Sequence, residues 1–170
     1  KKKVVGIGAG GHAKVILDIL KNSQLYEIVG LLDFEELQKG KTVLDIPVIG
    51  GHNKLPDLYY EKVKHVFMAF ASLGDTKKNK NIFDEIVDLG FEVINVLHST
   101  TIISDSVIMG SGNRIFAGTI INPDTELGNN VVINTGAIID HDCKIGDHVQ
   151  IAPGAKLAGS VIVGEGSLIG

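Results

Sequence analysis

The sequence has 170 residues but no tryptophan, a single cysteine, and only six phenylalanines and three tyrosines. The single cysteine, Cys143, rules out an internal disulfide and favours a reducing compartment, so we expect a cytoplasmic location. No run of about 18 apolar residues is present, which predicts that no segment spans a membrane. The net charge of −4 argues against a nucleic-acid partner held through phosphate contacts.

Glycine, in contrast, is abundant, with 21 residues. The two halves of the sequence differ in the spacing of their apolar residues. The first half alternates apolar runs with helical patterns. Strands are predicted at residues 3–6, 27–32, 64–71 and 91–96. Helices are predicted around residues 13–20, with Val15, Ile16, Ile19 and Leu20 on one side, and at residues 82–89, ending at Gly90. This order predicts a small parallel sheet with right-handed crossovers.

From Ile103 onward, an aliphatic residue recurs at every sixth position. The series has no gap: Ile103, Met109, Ile115, Ile121, Leu127, Ile133, Ile139, Ile145, Ile151, Leu157, Val163 and Ile169. Neither an α-helix nor a simple strand has a period of six, whereas a hexapeptide solenoid does. Each short strand would direct one aliphatic side chain into a narrow prism, and glycine or asparagine would turn the corners.

The segments GIGAGGHAKVILDIL, VGLLDFE, DIPVIGG and FEVINVLHSTTIIS, together with the hexapeptide run, resemble the NeuD/PglD-type sugar acetyltransferases. The resemblance covers essentially the whole sequence. It implies an α/β fold in which a small Rossmann-like parallel sheet, residues 1–98, is followed by a left-handed parallel β-helix, residues 99–170. It also implies a homotrimer with active sites between subunits. Because the hexapeptide pattern stops in register at Gly170 without a cap, we expect further coils in the full-length protein.

The glycines near the N-terminus allow two interpretations. Residues 6–11 satisfy G-x-G-x-x-G between a strand and a helix, and Asp33 closes the next strand, which is a dinucleotide fingerprint. A sheet this small, however, leaves little room for hydride chemistry, and the glycines could serve only close packing. The resemblance implies instead that this region binds a nucleotide-linked sugar, through Gly8, Gly10, Gly11, His12, Asp33, Ala71 and Ser72. Ala71 stands where the family commonly has glycine.

His141 in the segment IDHDC has three possible roles: a catalytic base, a metal ligand, or a polar residue in a turn. A lone histidine without further ligands at a fixed spacing is not a recognisable metal site, so we expect no metal. In the six-residue frame, Cys143 points inward and is expected to pack rather than to react. A histidine beside Asp142 suits a general base for acyl transfer, because the carboxylate can orient the ring.

The resemblance assigns the remaining site residues and the substrates. It implies that His141 and Asp142 are the catalytic pair, that the N–H of Gly159 stabilises the oxyanion, and that Gln150 and Gly154 contribute to binding acetyl-CoA. Gln150 stands where the family often has a second histidine. His52, His65 and His98 carry no motif, and we expect them to be surface or packing residues.

Three functions follow as hypotheses. The first is acetyl-CoA-dependent N-acetylation of a nucleotide-linked amino sugar. The second is O-acetylation of a sialic-acid-like sugar, since the same base could deprotonate a hydroxyl. The third, from another class, is a non-catalytic trimeric scaffold that binds a nucleotide. The sequence does not distinguish the sugar or the position that is acetylated.

Overall fold

The computed structural model of the protein describes residues 1–34, 38–71 and 75–170. It contains two compact units, which are formed by Lys1–Ala71 with Phe83–Ile94 and by Ser72–Ile82 with Asn95–Gly170. The predicted domain boundary between residues 98 and 99 stays a prediction.

The first unit is built around a six-stranded sheet. Its elements are β1 (Lys2–Ile7), α1 (Gly11–Ser23), β2 (Tyr26–Leu32), β3 (Thr42–Val43), β4 (Ile46–Gly50), a short 3₁₀ turn (His52–Lys54), α2 (Leu55–Tyr60), β5 (His65–Met68) and β6 (Glu92–Val93). The strand order is β3-β4-β2-β1-β5-β6, and every pair is parallel except β3 and β4. The predicted Rossmann-like α/β fold is confirmed.

The helix α1 differs from its prediction in the face that it buries. Its buried side chains are Ala13, Ile16, Leu17, Ile19 and Leu20, whereas Val15 is 45% exposed. The predicted face omitted Leu17, which lies one turn before Leu20, so the true apolar stripe is rotated away from Val15. Helix α3 (Thr76–Asp88) begins earlier than predicted and contributes residues to both units.

The second unit contains thirteen two-residue strands. They are β7 (Val96–Leu97), β8 (Ile102–Ile103), β9 (Ile108–Met109), β10 (Arg114–Ile115), β11 (Ile120–Ile121), β12 (Glu126–Leu127), β13 (Val132–Ile133), β14 (Ile138–Ile139), β15 (Lys144–Ile145), β16 (Gln150–Ile151), β17 (Lys156–Leu157), β18 (Ile162–Val163) and β19 (Leu168–Ile169). The strand predicted at residues 91–96 is in fact divided: β6 joins the sheet of the first unit, and β7 begins the solenoid.

Each strand pairs in parallel with the strand three positions later in the chain. One coil of the solenoid therefore takes 18 residues. Three sheets result, with the orders β7-β10-β13-β16-β19, β8-β11-β14-β17 and β9-β12-β15-β18. They form the three faces of a prism, and the predicted left-handed parallel β-helix is confirmed. Parallel pairing is possible at every coil because each strand meets its equivalent one turn later.

The interior of the prism is the column that the hexapeptide pattern predicts. Eight of the twelve aliphatic residues of that series belong to one buried apolar cluster, together with Val131, Ala137, Cys143 and Val149, and the other four pack against it. The second residue of each strand points inward and the first points outward. Among the described residues, no helix is long and apolar enough to cross a membrane.

Candidate active site

His141 lies at the corner that joins β14 to β15. The chain turns there at Asp142, which has a left-handed backbone with φ of 58°. Neighbouring coils hold the corner from both sides: the N–H of Asp142 donates to the carbonyl of Pro123 at 3.0 Å, and the N–H of Ser160 donates to the carbonyl of His141 at 2.8 Å. The corner is therefore fixed as part of the stacked prism rather than as a free loop.

The imidazole of His141 pairs with the carboxylate that follows it. Nδ1 of His141 lies 2.7 Å from Oδ2 of Asp142, and the two side chains remain 57% and 56% exposed. A carboxylate accepts this hydrogen bond when Nδ1 carries a proton, which places the lone pair of the neutral ring on Nε2. The pair thus presents a proton acceptor to the solvent-exposed side of the corner.

Gly159 lies directly beneath this ring, at the same corner one coil later. A Cβ at position 159 would lie 2.5 Å from Nε2 of His141, closer than non-bonded carbon and nitrogen atoms approach. Any side chain there would therefore displace the ring, which gives a steric reason for glycine. The structure brings His141, Asp142 and Gly159 together at one corner of the prism, and their predicted roles in catalysis stay predictions.

Two aspartates act on the ionisation of this histidine. The hydrogen bond that His141 donates to Asp142 raises the pKa of His141 above its ordinary value, and the charge of Asp140 raises it further. The pKa of Asp140 is itself lowered, first by a hydrogen bond from Asn122 and then by one from the N–H of His141. Cys143, the next residue, is buried, and its thiol donates to the carbonyl of Ala158 at 3.2 Å.

Gln150 and Gly154 do not lie at this corner. Gln150 belongs to β16, on a different face of the prism from β14 and β17, and is only 1% exposed. Gly154 forms the corner after β16, with φ of 70° and open space around it. Within one chain, therefore, neither residue adjoins His141, and their predicted roles with acetyl-CoA stay predictions.

Three polar side chains that the sequence does not mark as buried lie on the outside of the sheet that contains β16. The guanidinium of Arg114 donates to Oδ1 of Asn130 at 2.5 Å, and Nδ2 of Asn130 lies 2.9 Å from Nδ1 of His148. All three residues are buried, and burial lowers the pKa of Arg114 to about 9. Hexapeptide spacing marks these positions as outward, but it does not show that this face is covered.

In the first unit, the loop after β1 combines one crowded glycine with two open ones. Gly8 has φ of 108°, and a Cβ there would press against Phe70. Around Gly10 and Gly11 there is open space, and Gly10 forms the N-cap of α1. Close packing therefore explains why position 8 is a glycine. Gly10 and Gly11 instead leave the N-terminus of α1 accessible to a ligand, with His12 in the first turn.

Asp33 follows β2 at the carboxyl edge of the same sheet. Its N–H donates to the carbonyl of Gly50 at 3.0 Å. A cavity of about 210 Å³ is lined by Gly50 and Gly51, together with Lys39, Asn53 and Lys54. Ligands of parallel α/β sheets bind at this carboxyl edge. Ala71 follows β5 and is half-buried, and Ser72 lies outside the described residues.

Comparison with known proteins matches both halves of the chain to family models. Residues 3–86 match the model of the PglD N-terminal domain, and residues 142–170 match that of the bacterial transferase hexapeptide, six repeats. Together the two models cover all strands of the first sheet except β6, and the later coils of the solenoid from Asp142 onward.

Solved structures match over nearly the whole chain. One is perosamine N-acetyltransferase from Caulobacter crescentus, solved as a histidine-to-asparagine mutant in complex with CoA and GDP-perosamine. It is 34% identical, with a TM-score of 0.89, and the match covers 98% of this chain and 76% of that chain. The acetyltransferase domain of PglB from Neisseria gonorrhoeae, with acetyl coenzyme A, is 29% identical with a TM-score of 0.82, covering 99% and 82%. WeeI from Acinetobacter baumannii, at 21% identity and a TM-score of 0.78, covers 100% and 81% and supports the fold alone.

Proposed function

Because this chain belongs to the NeuD/PglD-type sugar acetyltransferases, we propose that it transfers the acetyl group of acetyl-CoA to the amine of a nucleotide-linked amino sugar. The observation that carries the proposal is the His141–Asp142 pair, with its ring above Gly159. Two similar proteins were solved with CoA or acetyl-CoA, and one of them also with a nucleotide-linked amino sugar, which supports both substrates.

In the proposed mechanism, His141 is the general base. Nε2 accepts a proton from the sugar amine as the amine nitrogen attacks the thioester carbon. The tetrahedral intermediate then collapses, the carbon–sulfur bond breaks, and the CoA thiolate leaves and takes up a proton. Asp142 keeps the proton on Nδ1 and stabilises the imidazolium that forms. The N–H of Gly159 is proposed to donate to the oxyanion.

The nucleotide part of the sugar substrate is proposed to bind in the first unit. The accessible N-terminus of α1 at Gly10 and Gly11 favours a phosphate, because its N–H groups and the helix dipole stabilise negative charge. Asp33 and the lysine-lined cavity beside Gly50 would contact the rest of the nucleotide. His12, Ala71 and Ser72 complete the proposed site, as the resemblance implies.

The reaction can be tested with a panel of nucleotide-linked amino sugars. The full-length protein is incubated with acetyl-CoA and each sugar, and the product is identified by mass spectrometry. We expect acetylation of at least one amino sugar linked to UDP or GDP. Transfer to hydroxyl groups alone would favour the O-acetyltransferase hypothesis instead. Binding of nucleotides without any transfer would favour the scaffold, which the intact His141–Asp142 pair argues against.

Ligand binding should be visible in thermal unfolding. A UDP- or GDP-linked sugar at 100 times its dissociation constant is expected to stabilise the protein by about 2.7 kcal/mol, since it binds only the folded state. NAD should leave the melting temperature unchanged, because the proposed site recognises a nucleotide sugar rather than a nicotinamide. Differential scanning calorimetry measures both effects. Stabilisation by NAD but by no nucleotide sugar would support the dinucleotide interpretation of the glycines.

The pH dependence of kcat/KM should report the ionisation of His141. The base works only when neutral, so activity is expected to rise with pH as the ring loses its proton. Because Asp142 raises the pKa of His141, this limb should lie above the range of an ordinary histidine. Asp142→Asn should move the limb to lower pH and cost less rate than loss of His141. A limb that Asp142→Asn leaves in place would contradict the pairing.

We also propose that the protein is a homotrimer, as the resemblance implies. Outward isoleucines of one face, Ile102, Ile120 and Ile138, form an apolar column, and Ile102 is 65% exposed. Exposed apolar columns of this kind are typical of protein interfaces. Sedimentation of the full-length protein measures the assembly. The single cysteine supports the proposed cytoplasmic location.

A further inference from the structure

Asp140, the residue before His141, is held by hydrogen bonds through both its side chain and its backbone. Oδ1 of Asp140 accepts two hydrogen bonds, from Nδ2 of Asn122 at 2.9 Å and from the N–H of His141 at 2.8 Å. Its carbonyl accepts a third from the hydroxyl of Thr125 at 2.9 Å. Asn122 and Thr125 belong to the equivalent corner one coil earlier, so the previous coil holds both the side chain and the backbone of Asp140.

We propose that Asn122 and Asp140 form a positioning pair for His141: they fix the backbone from which the histidine ring projects and keep a carboxylate charge beside that ring. This inference rests on the proposed role of His141 as the base. Neither residue is proposed to touch a substrate. Their action on the reaction passes through the N–H of His141 and through the charge of Asp140.

The geometry gives the pair a task that Asp142 does not have. Asp142 contacts the ring at Nδ1 and selects its tautomer. Asp140 instead fixes the peptide group of His141, because the same oxygen that accepts from Asn122 also accepts the N–H of His141. The N–H of His141 is held by Asp140, and its carbonyl accepts a hydrogen bond from the N–H of Ser160. The ring can therefore move mainly by rotation about its side-chain torsions. A base must stay within hydrogen-bond reach of its proton, so this restraint bears on rate.

Asn122 fixes the position of the Asp140 carboxylate. The amide of Asn122 makes the largest contribution to lowering the pKa of Asp140, and its hydrogen bond holds the charged oxygen next to the N–H of His141. Around the ring, Asp140 and Asp142 are the charges of its own corner. The equivalent corner of the previous coil carries Asp124, and that of the next coil carries Gly159 and Ser160. The nearby strands β15 and β17 carry Lys144 and Lys156 on their outward side.

The chain supplies a matched control for this pair. At a different corner, Oδ1 of Asp147 accepts the N–H of Asn129 at 2.7 Å and lies 3.4 Å from its Nδ2. This is again an asparagine and an aspartate 18 residues apart on adjacent coils, and the histidine that follows the aspartate, His148, is buried and has no proposed role in the reaction. Substitutions there remove a similar link between coils and leave the His141 corner unaltered.

The test compares Asn122→Ala and Asp140→Asn with Asn129→Ala and Asp147→Asn in the full-length protein. Asp140→Asn is isosteric and can still accept the N–H of His141, so it removes the charge without removing the acceptor. Two quantities are measured: the titration of the His141 ring by NMR, and kcat and KM for the amino-sugar substrate as functions of pH. The NMR titration does not depend on any activity.

We expect Asp140→Asn and Asn122→Ala to lower the pKa of His141 and to reduce kcat roughly tenfold, with KM little changed, since a displaced or weaker base loses part of its contribution. The double variant should lose less than the two single losses combined, because both act through one carboxylate. Asp140→Glu, which restores the charge, should recover the His141 titration in part. The two control variants should leave both quantities at wild-type values.

Wild-type titration and wild-type kcat in both Asn122→Ala and Asp140→Asn would overturn the inference, as would equal effects in the control pair. These outcomes are separable from failure of the proposed function. If His141→Ala retained full activity, the base would be another group, while the NMR titration would still show whether Asn122 and Asp140 control the ring.

Discussion

Replacing His141 with alanine is expected to lower the rate of acetyl transfer by a factor of about 10² to 10⁴, which is the usual contribution of a general base. The protein should remain folded, because the side chain is more than half exposed and lies on the outside of the prism. The loss should fall mainly on kcat, since the ring is proposed to act on the proton in transit rather than to bind the nucleotide. Single-turnover kinetics with acetyl-CoA and an amino-sugar substrate measure it.

His98 provides the matched control for this substitution. It too follows a strand of the solenoid, is partly exposed, and pairs through Nδ1 with a neighbouring side chain, Thr100, at 2.9 Å. Its partner is a hydroxyl instead of a carboxylate, and it has no proposed role. His98→Ala should therefore retain wild-type activity. Near-normal transfer by a folded His141→Ala variant would refute the mechanism, whatever the sugar acceptor.

The solenoid was predictable because its repeat is local and strict. Each coil requires an inward aliphatic residue at every sixth position, and no other common element has that period, so the sequence alone specifies the register of every strand. The prediction nevertheless began one repeat too late. Leu97 stands six residues before Ile103 and belongs to β7, which pairs with β10. Continuing the same count toward the N-terminus would have found it.

Other features depend on contacts that a linear pattern does not show. The strand expected at residues 91–96 is two strands in different sheets, because apolar residues there serve two successive cores. The burial of Gln150 and of the group formed by Arg114, Asn130 and His148 depends on what covers an outward face of the prism.

At the candidate site, the local pair was predictable and its support was not. His141 and Asp142 are adjacent in sequence, so their pairing could be inferred from the segment IDHDC. Asn122 lies 18 residues earlier and reaches Asp140 only because one coil of the solenoid takes 18 residues. Once that length is known, the residue stacked on any corner follows by addition, and the same rule places Gly159 beneath His141.

The second large effect concerns the core of the solenoid. Ile133 is fully buried in β13, the central strand of the five-stranded face, with Ile115 and Ile151 in register on either side. Ile133→Asp would place a carboxylate among the aliphatic side chains of this column, where the charge loses its hydration. We expect a loss of about 5 kcal/mol or more, comparable with the whole stability of a typical domain.

The control is the same substitution at an outward position. Ile162 in β18 is 77% exposed and pairs in register with Lys144, so Ile162→Asp should change stability by no more than about 0.5 kcal/mol. Circular dichroism during thermal unfolding measures both variants. Because each coil is stabilised by its neighbours, a charge at β13 should unfold the coils on both sides rather than one strand. A soluble Ile133→Asp variant with wild-type melting would show that this side chain does not point into the prism.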